Sequence, residues 1–209
     1  MQGKFITLEG LDGAGKSVAM EAVVSTIQEA GFEVVTTREV GGTPIGEKLR
    51  KLVLSRDNDI LPNAEVLLMF AARSQHLEQL ILPNIEAGRW VVCDRFTDST
   101  YAYQGGGREL PFDRIAQIEQ WTQGEFRPDL TLLFDADIKT AQQRVRQMDS
   151  PDRFEKEADA FHNRVRTAFI RLHNLHPERI KCIDATLDVD EVKDISQRYI
   201  KEFIDQTHG

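Results

Sequence analysis

The sequence predicts an α/β fold: a five-stranded parallel sheet flanked by helices. Three observations predict it. Strand-length apolar runs alternate along the chain with longer helical segments. Four of the five strand runs are continuously apolar, as in strands covered on both faces. The first strand leads straight into a glycine-rich loop and then a helix. With 209 residues, of which 41% are hydrophobic, the chain can bury the core of one large α/β domain.

The strands are read at 4–9, 33–38, 89–94, 130–135 and 180–184. The helices are read at 16–30, 46–54, 64–87, 113–123, 138–148, 156–176 and 189–206. Pro44, Pro62, Pro111, Pro128, Pro151 and Pro177 fall between these elements, where breakers belong. No repeat, low-complexity tract or linker interrupts the pattern, so residues 1–209 are expected to form a single domain. Two small polar excursions, 104–112 and 147–156, depart from it.

Composition excludes several classes. No run of about 18 apolar residues occurs, so no membrane span is expected. The first strand begins almost at the N-terminus, which leaves no room for a signal peptide. Cys93 and Cys182 sit in apolar strand runs and read as reduced core residues of a cytoplasmic protein; their spacing does not suggest zinc. The net charge of −8 argues against polynucleotide binding.

Residues 10–17 read Gly10-Leu11-Asp12-Gly13-Ala14-Gly15-Lys16-Ser17, the G-x-x-x-x-G-K-[ST] phosphate-binding loop. The strand Phe5-Ile6-Thr7-Leu8 precedes it and a helical run from Val18 to Ala30 follows. The glycines let successive N–H groups face an anion, and the helix N-terminus adds positive charge there. Lys16 is expected to reach the β- and γ-phosphates of ATP, and the Ser17 hydroxyl to ligate Mg²⁺.

Ligands of a parallel sheet bind beyond the carboxyl ends of the strands. Those ends carry Glu9, Thr37-Arg38-Glu39, Cys93-Asp94-Arg95, Asp135-Ala136-Asp137 and Asp184-Ala185-Thr186. Ala185 is assigned to the ATP-binding set with residues 10–17. Trp90-Val91-Val92-Cys93-Asp94 has the form of a Walker B strand. Its Asp94 suits holding Mg²⁺ through water or orienting a neighbouring arginine. Arg95 follows it, and must face an anion or a carboxylate.

From here the chain resembles the thymidylate kinases, which are P-loop nucleoside monophosphate kinases. The resemblance rests on Glu9 to Ser17, Thr37-Arg38-Glu39-Val40-Gly41-Gly42-Thr43, Phe70-Ala71-Ala72-Arg73-Ser74-Gln75-His76, Asp94-Arg95-Phe96 with Ser99-Thr100-Tyr101-Ala102-Tyr103-Gln104-Gly105, and Arg127-Pro128-Asp129-Leu130-Thr131. These segments stand in family order across nearly the whole chain. The resemblance implies transfer of the γ-phosphoryl group of ATP to dTMP, with Mg²⁺, giving dTDP and ADP. It implies a homodimer as well.

On this resemblance Arg95 and Arg38 hold the acceptor phosphate, and Glu39 belongs to the same dTMP-binding segment. The thymine lies against the helix near residue 70, with Arg73 donating to its O4. Family members place the stacking aromatic four residues before this arginine, where this chain has Met69; Phe70 is three before. Both spacings share a face with Arg73, and the choice between Met69 and Phe70 stays open. Ser99 or Gln104 touches the pyrimidine N3 edge, with Thr100 beside them. Tyr103 crowds the sugar 2′ position, and Asp12 lies near the 3′-hydroxyl. No general base is required, because the acceptor phosphate is already ionised.

Residues 144–157 form the expected lid over ATP. The phosphate loop has Gly13 and Ala14 where some relatives carry an arginine. By resemblance the lid then supplies the catalytic arginine, Arg153 as first choice and Arg146 as second. A regulatory GTPase is disfavoured because no Asn-Lys-x-Asp guanine motif occurs. Another monophosphate kinase on the same scaffold would differ only in its base pocket.

Overall fold

The computed structural model describes residues 2–145, 153–155 and 157–208. Five strands form one parallel sheet: β1 (Phe5–Gly10), β2 (Val34–Arg38), β3 (Trp90–Asp94), β4 (Leu130–Asp135) and β5 (Ile180–Asp184). Their order is β2-β3-β1-β4-β5, so winding reverses at β1, and the phosphate loop leaves the sheet at this switch point. The register sets Leu8 beside Asp94, Arg38 beside Asp94, and Gly10 beside Phe134. The chemistry-bearing ends therefore lie level on one edge.

The helices are α1 (Lys16–Glu29), α2 (Pro44–Leu54), α3 (Pro62–His76), α4 (Leu82–Glu86), α5 (Thr97–Thr100), α6 (Phe112–Gln123), α7 (Ile138–Val145), α8 (Asp159–Leu175) and α9 (Val189–His208). One core spans the sheet, α1, α8 and α9, with Ile6, Leu8, Val23, Ile27, Trp90, Leu132, Phe134 and Ile200 at its centre. A second core, Phe5, Leu77, Ile81, Ile85, Val91, Cys93 and Phe96, lies on the other sheet face. A small third cluster of Val66, Phe70 and Ile115 joins α3 to α6.

Several expectations are corrected here. β1, β3 and β4 are buried almost throughout, but β2 and β5 are only partly so, because they are the sheet edges. Cys93 is buried, whereas Cys182 on β5 is half-buried; both are free thiols. Pro44 and Pro62 do not lie between elements but open α2 and α3, where a missing N–H costs nothing. Thr43 caps α2 by accepting from the Gly46 N–H at 3.0 Å.

The helix expected over 64–87 is interrupted by a π-helical turn, Leu77–Ile81, before α4. Pro83, the second residue of α4, has no N–H to continue a regular ladder, so the wider turn accommodates it. The supposed polar excursion at 104–112 is also mostly structure. Residues Tyr101–Gly107 form a second π-helical turn, largely buried against α8. A Cβ at Gly107 would stand 2.4 Å from the Phe161 ring, so only glycine permits this approach.

Candidate active site

The site forms where β1, β3 and their following loops meet α3. At the phosphate loop, a Cβ on Gly10 would lie 2.3 Å from the Phe134 carbonyl oxygen, and its φ is +134°, so glycine is required. Lys16, in the first turn of α1, is buried. Its ammonium donates to the carbonyls of Gly10 at 3.2 Å and Leu11 at 3.0 Å, with Asp12 at 3.8 Å. Burial and the Arg95 charge push Lys16 below its ordinary value. Ser17 is exposed beside it.

Arg95 is the hub. Its backbone adopts φ +72°, rare for a side-chain-bearing residue, and its N–H donates to Leu8 O. Nη1 donates to Gly10 O at 2.8 Å and Ser99 Oγ at 3.1 Å; Nη2 donates to Asp12 Oδ1 at 2.5 Å and Tyr103 Oη at 3.2 Å. One guanidinium thus joins phosphate loop, Walker B strand and α5. Tyr103 also donates to Asp12 Oδ2 at 3.2 Å. Burial acts to raise the Asp12 pKa, but Arg95 and Lys16 outweigh it and hold the carboxyl well below its usual range.

Asp94 Oδ1 is a buried oxygen with no partner, in the wall of the same cleft. An acceptor without a donor suits a cation or its hydration water. Among the described residues no cluster of three or more metal-ligating side chains occurs. Asp94 and Ser17 alone fit a Mg²⁺ held largely by phosphate and water, the usual pattern for that ion.

Beside the phosphate loop lies an open cleft with both polar and apolar side chains in its wall. Its wall includes Glu39, Arg50, Met69, Arg73, Ser99, Thr100, Tyr103 and Gln104. Arg73 is buried between the rings of Phe70 and Phe96, 4.8 and 5.0 Å from their centroids. Its Nε donates to Glu39 Oε2 at 2.8 Å and its Nη2 to Thr100 Oγ1 at 3.0 Å. Nη1 is buried and has no partner, leaving a donor for a ligand. Glu39 is occupied by Arg73 and by His76 Nδ1 at 3.1 Å, so it orients Arg73 from behind.

The other expected residues divide between the cleft wall and its surroundings. Phe70 is 2% exposed and packs with Val66 and Ile115 behind the wall, while Met69 lines the cleft. A helix turns 100° per residue, so only one of two neighbours can face a narrow cleft. Arg38 lies outside the cleft wall, paired with Glu47 at 3.0 Å and half exposed. From α2 the wall takes Arg50 beside Arg73 and Arg95, and the Arg50 Nη1 donates to Val40 O at 2.8 Å. Nothing in the sequence pattern separated Arg50 from Lys48 and Lys51, the other cations of α2.

Arg153 contacts α2 and α3 instead of the phosphate loop: Nε donates to Val53 O at 3.0 Å and Nη2 to Glu65 Oε2 at 2.6 Å. Among the described residues of the lid region, Arg144 reaches the phosphate loop, donating to Gly13 O at 3.4 Å and to Ala185 O at 2.9 Å. Ala185 is buried at that point. Arg146 lies outside the described residues.

Glu9 is wholly buried behind Arg95 and accepts from Phe96 N at 2.7 Å, Ser99 N at 3.3 Å and Ser99 Oγ at 2.5 Å. Burial, with the nearby Asp98 charge, raises its pKa from an ordinary 4.5 to about 8. The folded chain then holds a proton that the unfolded chain has released. Stability is expected to fall as pH rises from about 4.5 through about 8. Glutamine would imitate the protonated acid. Between pH 5 and 8 the parent should lose more than about 1 kcal/mol relative to Glu9→Gln. Parallel pH profiles that stay superimposed in urea unfolding would contradict this.

A sheet whose order reverses at a phosphate loop, with an arginine-lined cleft beside it, is the fold of a P-loop nucleoside monophosphate kinase. Comparison with known proteins agrees. The thymidylate kinase family model matches residues 8–195. The thymidylate kinase of Cupriavidus metallidurans is 51% identical over 92% of this chain and 95% of its own length. That of Nitrosospira multiformis is 48% identical over 92% and 94%. The crystal structure of thymidylate kinase from Ehrlichia chaffeensis superimposes with a TM-score of 0.78 at 28% identity, covering 96% of this chain and 99% of that one. The chain belongs to the thymidylate kinase family, enzymes that phosphorylate dTMP to dTDP with ATP.

Proposed function

We propose a division of labour for that transfer among this chain's residues. The backbone of Gly10, Leu11, Asp12, Gly13, Ala14, Gly15, Lys16 and Ser17 cradles the ATP phosphates, and the Lys16 ammonium leaves its two carbonyls to meet them. Arg144 and Ala185 border the donor side. Arg95 and Arg50 hold the acceptor phosphate, with Arg38 at the cleft entrance. Arg73 Nη1 donates to the base O4, and Ser99, Thr100 and Gln104 meet the pyrimidine edge. Tyr103 and Asp12 face the sugar, and Met69 covers the base.

Ser17 and Asp94 would hold Mg²⁺, whose charge would neutralise the phosphate oxygens during transfer. The acceptor oxygen is already anionic, so positioning and charge neutralisation carry the step. The observation that carries this reading is the meeting of Lys16 and Arg95 at Asp12, beside a cleft where Arg73 keeps a free buried donor. Diphosphate formation from dTMP, dUMP, dCMP and dGMP with ATP tests it. Turnover should favour dTMP strongly and vanish when EDTA removes Mg²⁺. Equal turnover of dGMP would reject it.

Arg153 supplies a transition-state cation only after leaving Glu65 and Val53. Arg153→Ala should lower kcat by about 10–100-fold, less than the loss of a fully preorganised donor, with dTMP affinity unchanged. Arg146→Ala should do less. Single-turnover transfer at the parent rate in both variants and in the double variant would remove the lid arginine from the mechanism.

Residues 1–209 act as one domain in this reading. We place the homodimer surface on the groove between α3 and α6, lined by Val66, Leu67, Leu110, Ile115 and Ile118. Trp121 on α6 is 89% exposed, a large apolar surface left to solvent in a lone chain. Among the described residues no helix is long and apolar enough to cross a membrane. Together with two free thiols and nucleotide substrates, this favours the cytoplasm.

A further inference from the structure

Glu65, in the first turn of α3, has no solvent exposure and no part in the roles above. Its Oε1 accepts from Gln104 Nε2 at 2.7 Å and from Arg108 Nε at 3.4 Å. Its Oε2 accepts from Arg153 Nη2 at 2.6 Å. Arg108 reaches onward to Glu157 Oε1 at 2.5 Å. Phe154, next to Arg153, is buried edge-on to the Tyr103 ring at 5.6 Å and lines the acceptor cleft. One buried carboxylate therefore joins a residue of the base pocket to the segment that covers it.

We infer that Glu65 is a positioning residue for acceptor specificity, fixing which atom of Gln104 meets the base and tying that choice to the docked Arg153–Phe154 segment. This rests on the proposal that Gln104 reads the pyrimidine edge. A carboxylate only accepts hydrogen bonds. Glu65 therefore takes the Gln104 NH₂ group and leaves its Oε1 as the atom offered to the base. An acceptor there matches the N3–H of thymine and opposes N3 of cytosine, which is itself an acceptor. Glutamine at position 65 has a donor as well as an acceptor, so it lets the Gln104 amide turn over. It also leaves Arg153 without its counter-charge.

The test compares kcat/KM for dTMP and dCMP in the parent, Glu65→Gln, Glu65→Asp and Gln104→Met. It adds hydrogen exchange of the peptide containing Arg153–Glu155 with dTMP bound. Glu65→Gln should lower the dTMP-to-dCMP ratio about tenfold, equivalent to about 1.4 kcal/mol, and speed the exchange. Glu65→Asp keeps an acceptor-only group and should hold the ratio within about threefold of the parent. Gln104→Met should lower the ratio on its own. If it does but Glu65→Gln reduces both acceptors equally, Glu65 is only structural and the inference is wrong. If Gln104→Met keeps the parent ratio, the reading of Gln104 fails first and the inference falls with it. Should Glu65→Gln not fold, Glu65→Asp decides: a ratio lowered as far as in Gln104→Met overturns the inference.

Discussion

Arg95→Ala is expected to lower kcat/KM for dTMP by about 3–4 kcal/mol in transition-state stabilisation, the upper range for one preorganised charged donor. The reason lies in what its two terminal nitrogens hold. Nη1 spans Gly10 O and Ser99 Oγ, and Nη2 spans Asp12 and Tyr103. Removing the guanidinium deletes the cation proposed for the acceptor phosphate and leaves Asp12 facing Lys16 alone. The Asp12 carboxylate then repels an incoming phosphate with one counter-charge fewer. Burial acts to lower the Arg95 pKa, but Asp12 and its neighbours raise it well above the ordinary value, so the charge is present at every working pH. Arg95→Lys should restore little, because an ammonium cannot imitate the planar fork that meets four acceptors. Steady-state kinetics on folded variants measures this; near-parent kcat/KM in Arg95→Ala would refute the assignment.

Phe70→Ala is expected to cost about 3–5 kcal/mol of folding stability, the range for emptying a buried aromatic site. Phe70 fills the junction of α3 and α6 with Val66 and Ile115 and supports the Arg73 guanidinium from one face. Its loss loosens Arg73 and therefore weakens dTMP binding indirectly. Met69→Ala should do the opposite: little change in stability, because the side chain lies half-buried in the cleft wall, and a raised KM for dTMP. Urea unfolding and dTMP titration separate the two. Binding lost only in Phe70→Ala, with its stability at the parent value, would return the stacking role to the ring.

Much of this site was legible before any coordinates. The phosphate loop is a local motif whose geometry follows from glycines, a strand before it and a helix after it, and Lys16 and Ser17 stand where the spacing puts them. Asp94 and Arg95 were legible for a similar reason: an apolar parallel strand ends in a charge only at the ligand edge. Arg73 was marked by its segment, and its orphaned Nη1 gives that mark a chemical meaning.

What failed to show did so for identifiable causes. Spacing on a helix narrows a face but does not say which of two adjacent residues meets a cleft, so Met69 and Phe70 stayed undecided. Arg38 and Arg50 are both exposed-looking arginines in sequence; the path of the chain from β2 into α2 brings Arg50, and not Arg38, to the wall. The tract 104–112 reads as a polar excursion because Gly105, Gly106 and Gly107 break any propensity reading. Its close approach to Phe161 and Ala168 on α8 makes it a buried π-helical turn.

The sequence by itself therefore determined the fold class, the phosphate loop, the strand-end charges and the family, because each is written in local pattern along a few consecutive residues. The tertiary structure alone decided the long-range pairings: Arg95 with Asp12, 83 positions apart, Glu39 with Arg73, and Glu65 with Gln104 and Arg153. Charged side chains in a sequence have many possible partners. The packing of α3 against α2, α6 and the Tyr101–Gly107 turn shields Glu39 and Glu65 from water and makes each of these buried carboxylates depend on particular counter-charges.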